Sequence, residues 1–190
     1  MMGGARRFAF LDKDGTLVDD VPYNVDPARI ALARGVGALR DLRDAGFRFA
    51  VISNQPGVAL GLFPEHALVA VERRVRALLG DLGVPLDDFL YCPHHPEGVR
   101  AEYSRVCDCR KPAPGLLYKA RETLGADLRE SWMIGDTLDD VEAAHRAGCR
   151  AAFVDNGGET EWVAFASPLR RPDAVATDLG EAARLILAHE

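Results

Sequence analysis

The chain has 190 residues, of which 48% are hydrophobic and 27% charged, a balance typical of soluble globular proteins. Its 23 basic and 29 acidic residues give a net charge of −6, which argues against nucleic acid and against an anionic membrane surface as partners. No apolar run approaches the roughly 18 residues that a membrane-spanning helix needs. The N-terminus leads into a strand-like segment rather than a signal peptide, so we expect a cytoplasmic location in which the cysteines stay reduced.

Strand-like and helix-like segments alternate along the chain. Short apolar runs predict strands at 7–12, 47–53, 86–92, 131–136 and 150–155. Apolar residues at helical spacing predict helices at 35–46, 64–83, 114–125 and 138–148, and a last strand and helix follow. This alternation predicts an α/β fold with a single domain over 1–190: a Rossmann-like three-layer sandwich whose central, mostly parallel sheet has helices on both faces.

Polar residues suited to a phosphate site follow several of these strands. The first strand ends in DKDGT, with Asp12 and Asp14 two residues apart, and the second and fourth strands end at Ser53 and Asp136. Ligands of parallel sheets bind beyond the carboxyl ends of the strands, so we expect these side chains to meet. Carboxylates from separate strands would repel one another without a cation, and oxygen ligands suit Mg²⁺. Ser53 and Lys111 would then face a phosphate.

Each feature also has an ordinary structural explanation. DGT occurs in plain β-turns, Asp136 before a threonine suits a helix N-cap, and the basic residues of RKP could be a solvated surface pair. Their joint position after successive strands favours the functional interpretation.

The motifs FLDKDGT, VISN, RKP and MIGDTLDD resemble, in this order, those of the haloacid-dehalogenase-like phosphatases, and the resemblance covers nearly the whole chain. It implies that Asp12 is the nucleophile that forms an aspartyl-phosphate, and that Asp14 is the general acid and base. It also implies that Ser53 and Lys111 bind the phosphoryl oxygens. Mg²⁺ would be bound by Asp12, by the backbone carbonyl of Asp14 and by Asp136.

A second cluster of metal-ligating residues lies in the loop at 92–110. A Cys₃His set that suits tetrahedral Zn²⁺ consists of Cys92, His94, Cys107 and Cys109. His95 is an alternative ligand, and chance clustering of buried cysteines is the ordinary explanation. The loop is polar and has little core of its own, so metal binding would order it. We expect a structural zinc that stabilises this loop beside the RKP motif.

The segment CPHHPEG…CDCRKPAPG resembles the D-glycero-D-manno-heptose-1,7-bisphosphate 7-phosphatases and the related histidinol-phosphate phosphatases, in which loops replace a separate cap domain. No stretch of this chain is long enough for an inserted cap. The resemblance implies a small phosphorylated sugar as substrate, contacted by Asp20, Tyr23, Ser53, Asn54, Gln55, Arg110, Lys111 and Thr137. The bidentate guanidinium of Arg110 suits a second phosphate.

Two features depart from the heptose-phosphatase pattern and keep alternatives open. Leu60 and Leu62 lie where a basic residue is common, and Thr137 stands where a lysine is common. Both remove positive charge near a bisphosphate, so histidinol phosphate or a broader set of sugar phosphates is the alternative substrate. A non-catalytic, zinc-stabilised phosphate-binding protein is an alternative of another class, which the pair Asp12 and Asp14 argues against. A nucleic-acid end-processing phosphatase would need a basic groove. We expect a monomer.

Overall fold

The centre of the fold is a six-stranded sheet, seen in a computed structural model that describes residues 6–159 and 167–189. Its strands are β1 (Phe8–Leu11), β2 (Arg48–Asn54), β3 (Leu86–Cys92), β4 (Trp132–Gly135), β5 (Arg150–Val154) and β6 (Ala174–Ala176). They lie in the order β3-β2-β1-β4-β5-β6, and all neighbouring pairs are parallel. The predicted strands are confirmed, with ends shifted by a residue or two.

In the described part of the chain, four α-helices connect strands and a fifth follows β6: α1 (Leu39–Asp44), α2 (Leu68–Asp81), α3 (Gly115–Leu124), α4 (Leu138–Ala147) and α5 (Leu179–Ala188). A 3₁₀ turn precedes α1 at Val36–Ala38 and another precedes α2 at Glu65–Ala67, so both predicted helices begin as tighter turns. Among the described residues, none of the helices has the length and apolar character needed to cross a bilayer.

The sheet is buried on both faces, which gives the three layers that the alternation predicts. Helices α1, α2 and α5 cover one face through residues such as Leu39, Val75 and Ile186. Helices α3 and α4 cover the other through residues such as Leu117 and Val141. Successive residues of β1 point to opposite faces of the sheet and pack alternately into the two layers of the core. Because helices cover both faces, all four residues of β1 are fully buried.

The connectivity of the sheet places the functional residues together. The chain moves from β1 to β2 and β3 on one side, then crosses to β4 on the other side of β1. Such a reversal of strand order opens a crevice beyond the carboxyl ends of the adjacent strands. The loops after β1, β2 and β4 therefore converge. In the described ranges, the connections contain loops and short helices, with no separate cap domain above this crevice.

Candidate active site

A buried lysine lies at the centre of the crevice. The Nζ atom of Lys111 is 2.5 Å from Asp12 Oδ1 and 2.6 Å from Asp140 Oδ1, and it donates to the carbonyl of Ile52 at 2.8 Å. Burial lowers the pKa of Lys111, but the carboxylates of Asp12 and Asp140 outweigh burial and raise the pKa above its ordinary value. Lys111 is therefore charged, and it fixes the position of the Asp12 side chain.

The backbone around this lysine is held by the last residue of β2. The side chain of Asn54 accepts a hydrogen bond from the Lys111 N–H at 3.0 Å and donates one to the Lys111 carbonyl at 3.1 Å. The Asp12 N–H donates to the carbonyl of Ile134 at 2.9 Å, which joins the end of β1 to β4. Hydrogen bonds thus join the RKP segment to β2 and the DKDGT segment to β4. Because β2 and β4 are the two neighbours of β1, both segments lie at the same edge of the sheet.

Three carboxylates crowd this point. Oxygens of Asp12, Asp136 and Asp140 lie within 4.8 Å of one another. Burial is the main cause that raises the pKa of Asp12 to about 8; the charge of Lys111 opposes the rise and neighbouring carboxylates add to it. Burial, together with the charge of Asp140, raises the pKa of Asp136 to about 6. A divalent cation between Asp12 and Asp136 would offset this repulsion, and the oxygen donors suit Mg²⁺.

The sequence analysis did not identify Asp140 as a site residue. It lies in the first turn of α4, where its Oδ2 accepts hydrogen bonds from the N–H and the hydroxyl of Thr137 at 3.1 and 2.7 Å. Its other oxygen meets Lys111. A Cβ on Gly135 would lie 2.2 Å from Asp140 Cγ, so the close approach of α4 requires a glycine there. The T-x-x-D spacing of a capping box is the signal in the sequence that predicts the contact of this carboxylate with Thr137, whereas its burial depends on the close approach at Gly135.

The Asp14 carboxylate lies apart from the three-acid cluster and is oriented by two neighbours. Gln55 Nε2 donates to Asp14 Oδ2 at 3.1 Å and to the hydroxyl of Ser53 at 2.9 Å. Lys13 forms an ion pair with the other Asp14 oxygen. Lys13 was not predicted as a site residue, although it stands inside DKDGT. The side chain of Asp14 is about one-third exposed, 35%, so it can face a ligand.

A cavity of about 490 Å³ opens in front of Asp12. The predicted site residues that line it are Asp12, Asp14, Asp20, Tyr23, Asn54, Arg110, Lys111, Asp136 and Thr137. Gln55 instead lines an adjoining cavity of about 260 Å³, which Asp14 and Tyr23 also border. Ser53 lies below the surface at 1% exposure. Tyr23 has a positive φ of 54°, a strained backbone conformation for a non-glycine residue and one that recurs at binding sites.

The cavity wall is mainly acidic. Among the described residues that line it, Arg110 and Lys111 are the basic ones, and Lys111 is buried between carboxylates. Leu60 and Leu62 do not line this cavity, and Leu62 is largely exposed. Arg110 is therefore the cation that could meet a second anionic group of a ligand.

The predicted zinc ligands come together beside this cavity. The Sγ atom of Cys92 is 3.5 Å from that of Cys107 and 3.1 Å from that of Cys109, and His94 Nδ1 is 3.3 Å from Cys109 Sγ. The cluster contains His94 and not His95. Contact with the sulfur of Cys92 lowers the pKa of Cys109 to about 5, which favours the thiolate.

These separations are close to those between the ligands of a tetrahedral zinc, which lie about 3.7 Å apart for sulfurs at about 2.3 Å from the metal. All four cysteines of the chain are free of disulfides, as expected, and Cys149 is buried in the core as predicted. The cluster is thus compatible with zinc, and its last ligand directly precedes Arg110 in the chain.

Comparisons with known proteins assign the family. Residues 108–182 match the HAD-hydrolase-like family. D-glycero-β-D-manno-heptose-1,7-bisphosphate 7-phosphatases of Yersinia pestis and Escherichia coli (strain K12) are 40% and 43% identical to the chain over 136 residues, 71% of its length and 72% and 71% of theirs. The chain belongs to the haloacid-dehalogenase-like phosphatases. The phosphatase is thus a hydrolase of phosphate esters, in the group predicted from its motifs.

Solved structures share the fold of this phosphatase. A D,D-heptose 1,7-bisphosphate phosphatase of B. bronchiseptica, complexed with magnesium and phosphate, superposes with a TM-score of 0.80 at 29% identity and covers 97% of this chain and 99% of its own. A structure from Mesorhizobium loti described as a HAD-like phosphatase gives a TM-score of 0.83 at 35% identity and covers 97% of this chain and 86% of its own.

The contact between Asp140 and Lys111 gives a testable prediction about stability. Asp140→Asn places an uncharged amide against a buried ammonium, so we expect the free energy of unfolding to fall by about 1–3 kcal/mol in urea denaturation. The matched control is Asp139→Asn, because the neighbouring Asp139 side chain is 39% exposed and pairs with Arg170 in a partly exposed contact. That variant should change stability by less than about 1 kcal/mol. Equal small effects of both substitutions would contradict the role given to Asp140.

Proposed function

We propose that this phosphatase hydrolyses a phosphomonoester of a small phosphorylated sugar through an aspartyl-phosphate on Asp12. The observation that carries the proposal is the position of the Asp12 carboxylate, held by Lys111, near Asp136 and at the wall of a cavity of about 490 Å³. That volume is within the range of small-molecule sites. The substrate we propose is D-glycero-β-D-manno-heptose 1,7-bisphosphate, cleaved at the 7-phosphate, in line with the names of the relatives from Yersinia pestis and Escherichia coli.

In the first step, an Asp12 oxygen attacks phosphorus and the bond between phosphorus and the sugar oxygen breaks. Asp14 protonates the departing sugar oxygen, a role supported by its partial exposure beside the cavity. The ammonium of Lys111 and the hydroxyl of Ser53 would bind the phosphoryl oxygens, whose negative charge they offset. In the second step, Asp14 takes a proton from water, the water oxygen bonds to phosphorus, and the bond to Asp12 breaks. Covalent catalysis divides one difficult displacement into two easier ones.

The proposed cofactor is Mg²⁺, bound by Asp12, by Asp136 and by the backbone carbonyl of Asp14. The residues fit such an ion, because the carboxylate oxygens of Asp12 and Asp136 lie within 4.8 Å of each other and burial raises the pKa values of both groups. When bound, Mg²⁺ would supply positive charge to the phosphoryl group. We assign Asp140 a positioning role, because Thr137 and Lys111 already occupy its two oxygens.

The substrate preference would depend on the acidic wall of the cavity and on Arg110. We propose that Arg110 binds the phosphate that is not transferred, and that Asp20, Tyr23, Asn54, Gln55 and Thr137 contact the sugar. Histidinol phosphate remains the second candidate substrate, since an acidic wall with few basic groups also suits an amine-bearing leaving group.

We further propose that the Cys₃His cluster binds a structural Zn²⁺. The proximity of its four ligand atoms supports this, as do the exposed Val99 and Val106, which show that the loop buries little apolar surface. A reducing, cytoplasmic location agrees with the free thiols. We propose that residues 1–190 act as one catalytic domain and as a monomer.

A phosphate-release assay tests the substrate. We expect kcat/KM for the heptose 1,7-bisphosphate to exceed that for histidinol phosphate and for sugar monophosphates by at least about tenfold, close to the contribution of one charge-assisted contact. Arg110→Ala should raise KM for the bisphosphate about tenfold or more, and Arg100→Ala, a surface control outside this cavity, should not. Equally poor turnover of every substrate would overturn the heptose assignment.

Replacement of the nucleophile tests the chemistry. Asp12→Asn keeps the size of the side chain but removes its nucleophilic carboxylate, so kcat should fall on the order of 10³-fold or more. Asp44→Asn, a surface change at the end of α1, should leave kcat within about twofold. Turnover by Asp12→Asn at the wild-type rate in steady-state assays would exclude the covalent route.

Zinc analysis tests the second metal site. Protein purified without chelators should contain one zinc per chain by elemental analysis, and Cys109→Ser should lose it because one thiolate ligand is gone. Proteolysis within 92–111 should then accelerate. The control Cys149→Ala, in the core away from the cluster, should retain zinc. Wild-type protein without zinc whose loop resists proteolysis would show that packing alone orders this segment.

A further inference from the structure

We propose that Asn156 is a positioning residue for Asp136 and that its side-chain amide sets the affinity of the site for Mg²⁺. Asn156 lies in the turn after β5 and belongs to none of the four phosphatase motifs. The inference rests on the proposed function, because it takes Asp136 as a metal ligand.

One amide group joins two loops of the site. Asn156 Nδ2 donates a hydrogen bond to Asp136 Oδ2 at 2.9 Å and another to the carbonyl of Gly15 at 3.0 Å. A side-chain amide has two N–H donors, and both are therefore used. The turn after β5 is thus connected to the loop after β4 and to the DKDGT loop after β1.

The turn itself determines which end of the amide faces Asp136. Asn156 Oδ1 accepts a hydrogen bond from the N–H of Gly158 at 2.8 Å, and the Asn156 N–H donates to the carbonyl of Val154 at 3.0 Å. A flipped amide would lose the Gly158 bond and would place its oxygen against a carboxylate and a carbonyl. The donor end is therefore fixed toward Asp136 before any metal binds.

Among the described side chains, Thr16 makes the other hydrogen bond to the Asp136 carboxylate, and it is the longer of the two. Its Oδ1 accepts a hydrogen bond from the hydroxyl of Thr16, which at 3.3 Å is long for an O–H donor. Gly15 packs against the same oxygen that Asn156 contacts, since a Cβ on Gly15 would lie 2.1 Å from Asp136 Oδ2. Without the Asn156 amide, the carboxylate would lose its shorter side-chain hydrogen bond and could rotate. Loss of a group that orients a metal ligand typically weakens metal binding 10- to 100-fold.

The position of Asn156 separates this role from substrate binding. Asn156 borders a neighbouring cavity of about 460 Å³, which Asp136 and Asp20 also line, and it does not line the cavity in front of Asp12. Its removal should therefore act on the metal and leave the apparent KM for substrate nearly unchanged once Mg²⁺ is saturating.

The test is a calorimetric titration of the metal-stripped phosphatase with Mg²⁺. We expect Asn156→Ala and the similarly sized Asn156→Leu to raise the Kd for Mg²⁺ about 10- to 100-fold, with KM at saturating Mg²⁺ within about twofold of wild type. The control Asp155→Ala removes a hydrogen bond within the same turn, from the Gly157 N–H to Asp155 Oδ1 at 3.2 Å, without touching Asp136. Its Kd should match wild type.

Three outcomes separate the hypotheses. A wild-type Kd in both Asn156 variants, or an equal loss in Asp155→Ala, overturns the positioning role and leaves the proposed function intact. Wild-type protein that binds no Mg²⁺, or Asp136→Asn with undiminished binding, contradicts the proposed metal site and the positioning role together. A raised Kd confined to the two Asn156 variants supports the inference.

Discussion

Electrostatic compensation at the carboxyl edge of the sheet is the constraint on which the active site depends. Three carboxylates, of which Asp12 and Asp140 are buried and Asp136 is partly buried, lie within 4.8 Å of one another and repel, and burial raises the pKa of Asp12 to about 8. The charged Lys111 offsets part of that repulsion through contacts with Asp12 and Asp140. A divalent cation would offset the rest. In the proposed mechanism, this excess of negative charge is what would attract a divalent cation to the side chain of Asp12.

Each surrounding element keeps one charged group in position. The end of β2 fixes the backbone of Lys111 through Asn54, and the capping box of α4 fixes Asp140 through Thr137. The Cys₃His loop ends directly before Arg110, so order in that loop carries into the phosphate-binding segment. In the proposed mechanism, the chemistry would therefore depend on parts of the chain that do not contact substrate, such as the cysteines and the turn after β5.

The sequence predicted the layers, the strands and most of the site, because apolar runs and polar strand ends are local patterns. Asp12 and Asp136 could be placed together from the rule that ligands bind beyond parallel strands. Asp140 was missed because an acid in the first turn of a helix usually faces solvent, and only the close approach of α4 at Gly135 buries it. Asn156 was missed because its partners are 20 and 141 residues away in sequence. The choice between His94 and His95 likewise depends on how the loop folds around the sulfurs.

Trapping the phosphoryl group on Asp12 tests the nucleophile most directly. The phosphatase would be mixed with substrate and Mg²⁺, quenched in acid within milliseconds, digested and analysed by mass spectrometry. The peptide that contains DKDGT should carry one phosphoryl group on Asp12, and hydroxylamine should remove it, as expected of an acyl phosphate. Rapid release of the sugar product with no phosphorylated Asp12, or with the phosphoryl group on another residue, would contradict the covalent mechanism.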